Sequence, residues 1–535
     1  MDQYKDAVQH PQTAFTDPVL KSAKIATNGM GLPIALGGGF ALTYRANAAP
    51  SRRFAIRCFH KEARDLEARY AHIDTGLRAA SGPYFVGFEF QPGGVLVNGR
   101  RFPIVKMDWV DGDTLGSFLE NNFSDKSALE KLRNQFEELE RFLRTKRIAH
   151  GDLQNGNVLV KSGLKLIDYD GMYVPSLPSG KGTELGHKHF QHPKRSAEDF
   201  GPEMDRFSFI IVELSLRALA QNPRLFPKYS NGENIILTAN DFIDPDSSPA
   251  FAELRSNETL TRDATNLASI CVAAAKNVPT LAEFLAGQNI PAAPIVIRPP
   301  SGTKGVKKVP AYVGAYEVVD AANYNAVAKQ VGDKVELVGL VVRVHSAKTK
   351  YGKPFCFVFF DNSKRSVKLN IWSEGVAELA KAPDQTWIGT WLSVQGLVDP
   401  AYTSRYGTSL SITVTSKNQI REIKEAEARR RLRIQSSTAP QPPTDNRAIL
   451  NSLATKPRAK KPSIRRPAPP SQTQTSQSKN QAILKAMNPG LRTSPPTQPP
   501  WSPAPRQSSS SKGEVPWGWI VFGAIVLFLL FRSLR

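Results

Sequence analysis

The 535-residue sequence predicts an α+β protein: a two-lobed domain, a small β-barrel module, a disordered linker and one C-terminal transmembrane helix. Three observations carry this expectation. Up to about residue 287, strand-like and helix-like patterns alternate with few low-complexity runs. From about 311 to 423 the runs are short, β-type and bounded by turn signals, as in VELVGLVVRV, KPFCFVFFD and WLSVQGLVD. Beyond them lies a tract of Pro, Ser, Thr and Gln too poor in apolar residues to bury a core, then an apolar run.

The expected boundaries are 20–287 for the two-lobed domain, 288–310 for a Pro/Gly/Lys bridge and 311–424 for the β module. A basic linker, 425–513, starts with the helix-like KEAEARRRLR, and a membrane helix spans 515–532. Three scattered cysteines without a CxxC pair speak against a zinc cluster or disulfide scaffold and suit a reducing cytoplasm. A net charge of +22 points first to nucleic acid or anionic lipid. Between Arg429 and Gly513, however, sixteen Lys and Arg stand against one Asp, so most of the excess belongs to the linker. Within it NRAILNSL (446–453) and NQAILKAM (480–487) share a pattern: either chance similarity in biased sequence or two copies of a docking helix for a partner.

Val515 to Phe531 carries no charge, and at ~1.5 Å per residue it nearly crosses a ~30 Å hydrocarbon core. Trp517 and Trp519 suit the interface, and Arg532 and Arg535 close the run. The opening MDQYKDAVQHPQ has no apolar export signal. The expectation is a single-pass membrane protein with a C-terminal anchor, its folded part facing the cytoplasm.

The chemistry concentrates in IAHGDLQNGNVLV. Asp152 and Asn157 stand at the spacing of a phosphoryl-transfer loop, where the Asp accepts the acceptor hydroxyl's proton and the Asn holds a metal. VLV, a turn at KSG, and LKLI then lead to Asp168, so a tight hairpin brings Asp168 beside Asn157. Two convergent oxygen ligands suit Mg²⁺, with substrate phosphates completing its shell. Upstream, LPIALGGGFALTYRA reads as strand, glycine turn, strand; Gly37, Gly38 and Gly39 let backbone N–H groups approach phosphates. FAIRCF resembles a strand that carries a phosphate-binding lysine, with Arg57 at that position, and EARDLEARYAHI offers Glu67 or Glu62 as the partner of that cation. In FPIVKMDWVDGDTLG the segment from Asp108 to Val110 offers backbone groups to an adenine edge.

These residues together resemble the protein kinase superfamily over about 20–285. The resemblance is strongest to a bacterial kinase-like group with HGD, DYDGM-V-P and GH--FQHP motifs, which here read HGDLQNGN, LIDYDGMYVP and GHKHFQHPKR. It implies two lobes with ATP between them and a Ser/Thr protein substrate. Asp152 would then be the catalytic base, Asn157 and Asp168 the Mg²⁺ ligands, and Asp205 a brace for the catalytic-loop backbone. Departures from the family pattern are Leu36 and Ala41 at outer-glycine positions, Thr43 for Val, Gly151 for Arg, Gln154 for Lys and Arg57 for Lys. Two altered cation positions keep a second reading open: a nucleotide-binding pseudokinase scaffold that gathers partners.

The β module resembles an OB-fold in its strand order. Period two puts Phe355, Phe357 and Phe359 on one face, with Lys348, Lys350, Lys353, Lys364, Arg365 and Lys368 nearby. Either these rings stack single-stranded nucleic acid, or they fill the barrel and the module binds protein or oligosaccharide.

Overall fold

Period-two alternation in the first 110 residues produces a sheet buried on both faces. Three short helices precede it, α1 (Asp2–Val8), α2 (Pro11–Ala14) and α3 (Pro18–Lys21). Its strands are β1 (Lys24–Ile25), β2 (Ala35–Gly37), β3 (Ala41–Ala48), β4 (Arg52–Phe59), β5 (Phe88–Val97) and β6 (Arg100–Asp108), with α4 (Leu66–Ala80) between β4 and β5. They run in the order β1-β3-β4-β6-β5, and β2 pairs with β3. Leu42, Tyr44, Ala46, Phe54, Ile56 and Cys58 bury one face against Tyr4, Val8, Phe15 and Leu20. The lobe therefore starts well before residue 20. Its first apolar residues are spread over three separate short helices, so no single periodic run announces them. On the other face of β4, Arg57 alternates with those core residues and faces the side that Tyr70, Ile73 and Leu77 of α4 seal.

The structure is a computed structural model. It describes residues 2–432 apart from 28–30, 38–40, 50, 60–64, 179, 293–310, 350, 380 and 406. Gly38, Gly39, Glu62, Lys350, the linker from 433 onward with both AIL units, and the apolar run 515–532 lie outside the described residues. Among the described residues no helix is long and apolar enough to cross a membrane.

The second lobe begins with β7 (Asp113–Thr114), α5 (Leu115–Asn122) and α6 (Lys126–Lys146). Leu129, Leu132, Phe136, Leu139 and Leu143 recur at helical spacing on α6 and are buried. The hairpin of β8 (Val158–Val160) and β9 (Leu164–Leu166) sets Val158 opposite Leu166. Next comes α7 (Arg206–Gln221), buried on every side from Phe207 to Leu216, its buried Glu213 paired with Arg133 at 2.6 Å. Helices α8 (Leu225–Tyr229), α9 (Ala239–Ile243), α10 (Pro249–Ser256), α11 (Thr261–Val272) and α12 (Leu281–Ala286) complete it.

The third part is mostly strand. It comprises β10 (Glu317–Asp320), α13 (Tyr324–Ala328), β11 (Lys334–Leu340), β12 (Arg343–Lys348), β13 (Pro354–Phe359), β14 (Arg365–Ile371), α14 (Ser373–Glu378), β15 (Trp391–Ser404), β16 (Gly407–Val414) and β17 (Ile420–Ile423). The pairing path is β10-β11-β15-β16-β14-β13-β12, with β14 and β16 parallel and β17 on β15. The run read as the linker's start is helix α15 (Glu425–Leu432), and it belongs to this part. Arg431 reaches the fully buried Glu336 at 2.6 Å, a carboxylate that also accepts from Tyr312 and Ser393. A buried charge requires such a partner. All described residues fall within one compact unit, Met1–Pro457.

Candidate active site

The loop from His150 to Asn157 is held from beneath by Asp205. Its carboxylate accepts the backbone N–H of His150 and, at 2.8 Å, that of Gly151. Gly151 has φ +83°, and a Cβ there would lie 2.5 Å from the Gly171 carbonyl, so the position that carries Arg in the family pattern has no room for a side chain. His150 is buried; its Nδ1 accepts from the Asp152 N–H (3.3 Å), which leaves Nε2–H to donate to the Ile167 carbonyl (2.9 Å). That bond and the one from Ile167 N–H to the Asn157 carbonyl (3.0 Å) lock the loop to the segment carrying Asp168. The Asn157 amide nitrogen donates to the Asp152 carbonyl (3.0 Å) and to its Oδ2 (2.8 Å), so the amide oxygen is the end left for a cation. Asp152 Oδ1 accepts the His187 N–H at 2.6 Å. Gln154 is spent locally, its side chain accepting from Gly156 N–H.

Asp168 sits at φ +68°, a left-handed conformation uncommon for a residue with a side chain and one that collects at functional sites. Its Oδ1 is 2.8 Å from Arg57 Nη1, and Asp170 Oδ2 is 2.5 Å from Arg57 Nη2. The planar guanidinium thus spans two carboxylates and ties the first lobe to the second. Burial alone would lower the Arg57 pKa, but Asp168 and Asp170 carry it well above its usual value. Burial likewise opposes ionisation of Asp168, and Arg57 overcomes it, holding Asp168 below the usual carboxylate range. Asp170 goes the other way, raised by burial and by Asp168 despite Arg57. Tyr70 donates to Asp170 Oδ1, and Arg69 to the carbonyls of Asp170 (2.9 Å) and Met172 (2.7 Å). Glu184 completes the acidic wall; burial and then Asp170, Asp168 and Asp152 push it well above the normal range.

Gly37 ends β2, in register with Leu42; Gly38 and Gly39 lie outside the described residues. Asp108 ends β6 with its N–H given to Gly87, and Trp109 gives its own to Arg53, so of the three hinge residues Val110 is the one left to offer an N–H to a nucleotide. Val110 is half-buried against an apolar core to which both parts contribute. Glu67 is not brought to Arg57: it is exposed in the first turn of α4, a helix whose buried stripe runs through Tyr70, Ile73 and Leu77. Among the described residues Arg57 instead meets Asp168 and Asp170, the nearer carboxylates.

Several side chains that shape the site escaped sequence reasoning, although the motifs contained them. Asp170 belongs to DYDG. In GHKHFQHPKR, Gln191 Nε2 (3.3 Å) and Arg195 Nη1 (3.0 Å) both donate to the Gly151 carbonyl, His189 Nδ1 accepts from Ala239 N–H (3.1 Å), and His192 Nε2 meets the Ile270 carbonyl (3.0 Å). The motif is a strap across the His150–Asn157 loop.

Among the described residues no group of three or more His, Cys, Asp or Glu is placed to hold a metal ion. One carboxylate and one amide oxygen, Asp168 and Asn157, fit the partial shell that Mg²⁺ takes when phosphates and water supply the rest.

On the β module, Cys356, Val358 and Phe360 enter the core, while Phe355 and Phe357 point outward. There they meet each other at 4.9 Å and Trp372 at 5.6 and 5.7 Å, with His345 stacked on Phe357. Lys368 lies 3.9 Å over Phe357 and Arg343 3.7 Å over Phe359. Neither the protein-family models nor the curated proteins compared with the chain match it.

Proposed function

We propose that the chain is an ATP- and Mg²⁺-dependent protein kinase that phosphorylates Ser or Thr hydroxyls, built on the two-lobed protein-kinase fold. The observation that carries this reading is that three separate segments bring Asp152 against Asn157 and Arg57 against Asp168, with Ile167 N–H on the Asn157 carbonyl joining the two pairs. Asp152 accepts the hydroxyl proton, and two bonds hold its carboxylate in place for that task. Arg57 pairs with the acidic pair in the free protein and serves the phosphates when nucleotide is present. Asn157 and Asp168 would hold Mg²⁺, which would supply charge neutralisation at the phosphates. In the test, label from the γ-phosphate of ATP moves to the protein or an added acceptor in the presence of Mg²⁺.

A specific observation favours the pseudokinase scaffold as second reading. Arg57 already neutralises Asp168, so the acidic pair is satisfied without a cation from solution. Saturable ATP binding with no loss of the γ-phosphate selects that reading.

For the β module, which we read as an OB-fold, we propose single-stranded nucleic acid as ligand, because Phe355 and Phe357 stay half-exposed outside the apolar core, Phe357 beneath Lys368, while Phe359 is buried. Base stacking contributes ~1–3 kcal/mol per base. Phe357→Ala should therefore weaken oligonucleotide binding by about tenfold or more at fixed salt, measured by anisotropy. The basic linker supplies a salt-sensitive background common to both proteins, so equal affinities would leave a protein-binding module. The run 515–532 is proposed as membrane anchor, and a chain ending at Glu514 should leave the membrane fraction; persistence there assigns anchoring elsewhere.

A further inference from the structure

We propose that the β module is a working part of the active site, with Tyr316, Lys334, Glu233 and His187 as positioning residues for Asp152. The proposal rests on the phosphotransfer reading for its catalytic consequence but not for its geometry. Glu233 lies in the second lobe, between α8 and α9, and is half-buried at 19 % side-chain exposure. Its Oε1 accepts from Lys334 Nζ (3.0 Å) and its Oε2 from the Tyr316 hydroxyl (2.8 Å), both from the β module. Lys334 also donates to the Tyr316 hydroxyl (2.6 Å), closing a three-membered ring of bonds, and lies 4.4 Å over the Tyr316 ring. The same Oε2 meets His187 Nε2 at 3.1 Å. His187 Nδ1 accepts from the His189 N–H (3.3 Å), so Nε2 carries the proton and points at Glu233.

The backbone of this histidine does the positioning. Its N–H closes on Asp152 Oδ1 at 2.6 Å. Gly186 permits the approach: its φ is +73°, and a Cβ would lie 2.5 Å from the Gly151 carbonyl and 3.0 Å from Asp152 Oδ1. The loop holding Glu233 is gripped from both sides as well. Asn155 of the catalytic loop donates to the carbonyls of Gly232 (3.2 Å) and Asn234 (3.1 Å), and Arg421 of the β module to that of Ser230 (2.9 Å). Asn240 and Val313 exchange two further bonds across the same seam, each 2.9 Å. Two continuous chains of bonds therefore run from the β module to the catalytic loop, and one of them ends on Asp152 itself.

Glu233 receives three donors and no acceptor, so Gln, with its own N–H₂, is a mismatch of equal shape. The experiment uses the full chain with Glu233→Gln, Lys334→Met, Lys334→Arg and, as the mildest change, Tyr316→Phe. Hydrogen exchange is followed at the His187 amide, and kcat and KM for ATP are measured with γ-labelled nucleotide. Glu233→Gln, Lys334→Met and Tyr316→Phe should speed exchange at His187 while α6 and α7 stay protected, and lower kcat about ten- to a hundredfold at unchanged KM. Lys334→Arg should restore most of both. A protein that only lost stability would exchange faster throughout. Unchanged exchange at His187, a rise spread evenly over the fold, or no recovery with Arg overturns the proposal. Should the wild-type protein transfer no phosphate, the kinase reading fails, and the exchange pattern alone still decides this one.

Discussion

Asp152→Asn should lower phosphate transfer by about two to four orders of magnitude while ATP with Mg²⁺ still binds. The substitution keeps the shape of the side chain and removes its capacity to take a proton. It does not touch Asn157 Oδ1, Asp168 or Arg57, the groups assigned to cation and phosphates. One local cost is expected, because Oδ1 and Oδ2 accept from His187 N–H and Asn157 Nδ2, and an amide turns a donor toward one of them. A mismatched buried pair costs ~1–3 kcal/mol, which lowers the melting temperature of the variant with and without nucleotide alike. The assay is label transfer from γ-labelled ATP under saturating Mg²⁺. Transfer at the wild-type rate would remove Asp152 from the mechanism.

Arg57→Ala should be the most destabilising single change at the site. It strips the cation from the buried Asp170 and the half-buried Asp168, and breaking a buried pair from one side costs ~3–5 kcal/mol, less where solvent reaches one partner. Arg57→Lys should recover only part, because one ammonium cannot span Asp168 and Asp170 as the planar fork does at 2.8 and 2.5 Å. Asp170→Asn in the Arg57→Ala background should return some stability, the signature of a coupled pair. The pH dependence has a definite sign. Asp168 is held below its unfolded value of 3.8, so its share of stability is present above that value and lost as pH falls through the folded pKa. The gap between wild type and Arg57→Ala should be full near neutrality and narrow on acidification, measured by denaturant unfolding without nucleotide. A gap independent of pH would mean that packing, not charge, is what Arg57 contributes.

How far the residues themselves announced this arrangement depends on whether the contact is local. Asn157 and Asp168 are joined by one tight hairpin, and strand periodicity with a turn signal is enough to place them together. The alternation of FAIRCF likewise puts Arg57 on the face opposite the core. Glu67 differs in kind: helix α4 is legible in the sequence, but which of its faces meets β4 depends on a third element. The burial of Tyr70, Ile73 and Leu77 decides it, and the counter-charge comes from Asp170, 113 residues away in sequence. The outward pose of Phe355 and Phe357 was equally open, since period two gives two faces without saying which is inside. The link from Lys334 to Glu233 spans 101 residues and two parts of the fold, and no pattern along the chain encodes such a meeting. Its trace in the sequence is the GHKHFQHP motif, whose histidines act as fasteners.

The central claim is that Asn157, Asp168 and Arg57 form a nucleotide site completed by Mg²⁺, and a thermal melt of the folded protein tests it most directly. With ATP and Mg²⁺ at a hundredfold excess over the dissociation constant, linkage stabilises the protein by ~2.7 kcal/mol, and Asp168→Ala should lose the Mg²⁺-dependent part. A folded wild-type protein whose melting temperature ignores ATP with Mg²⁺ at every concentration would contradict the account.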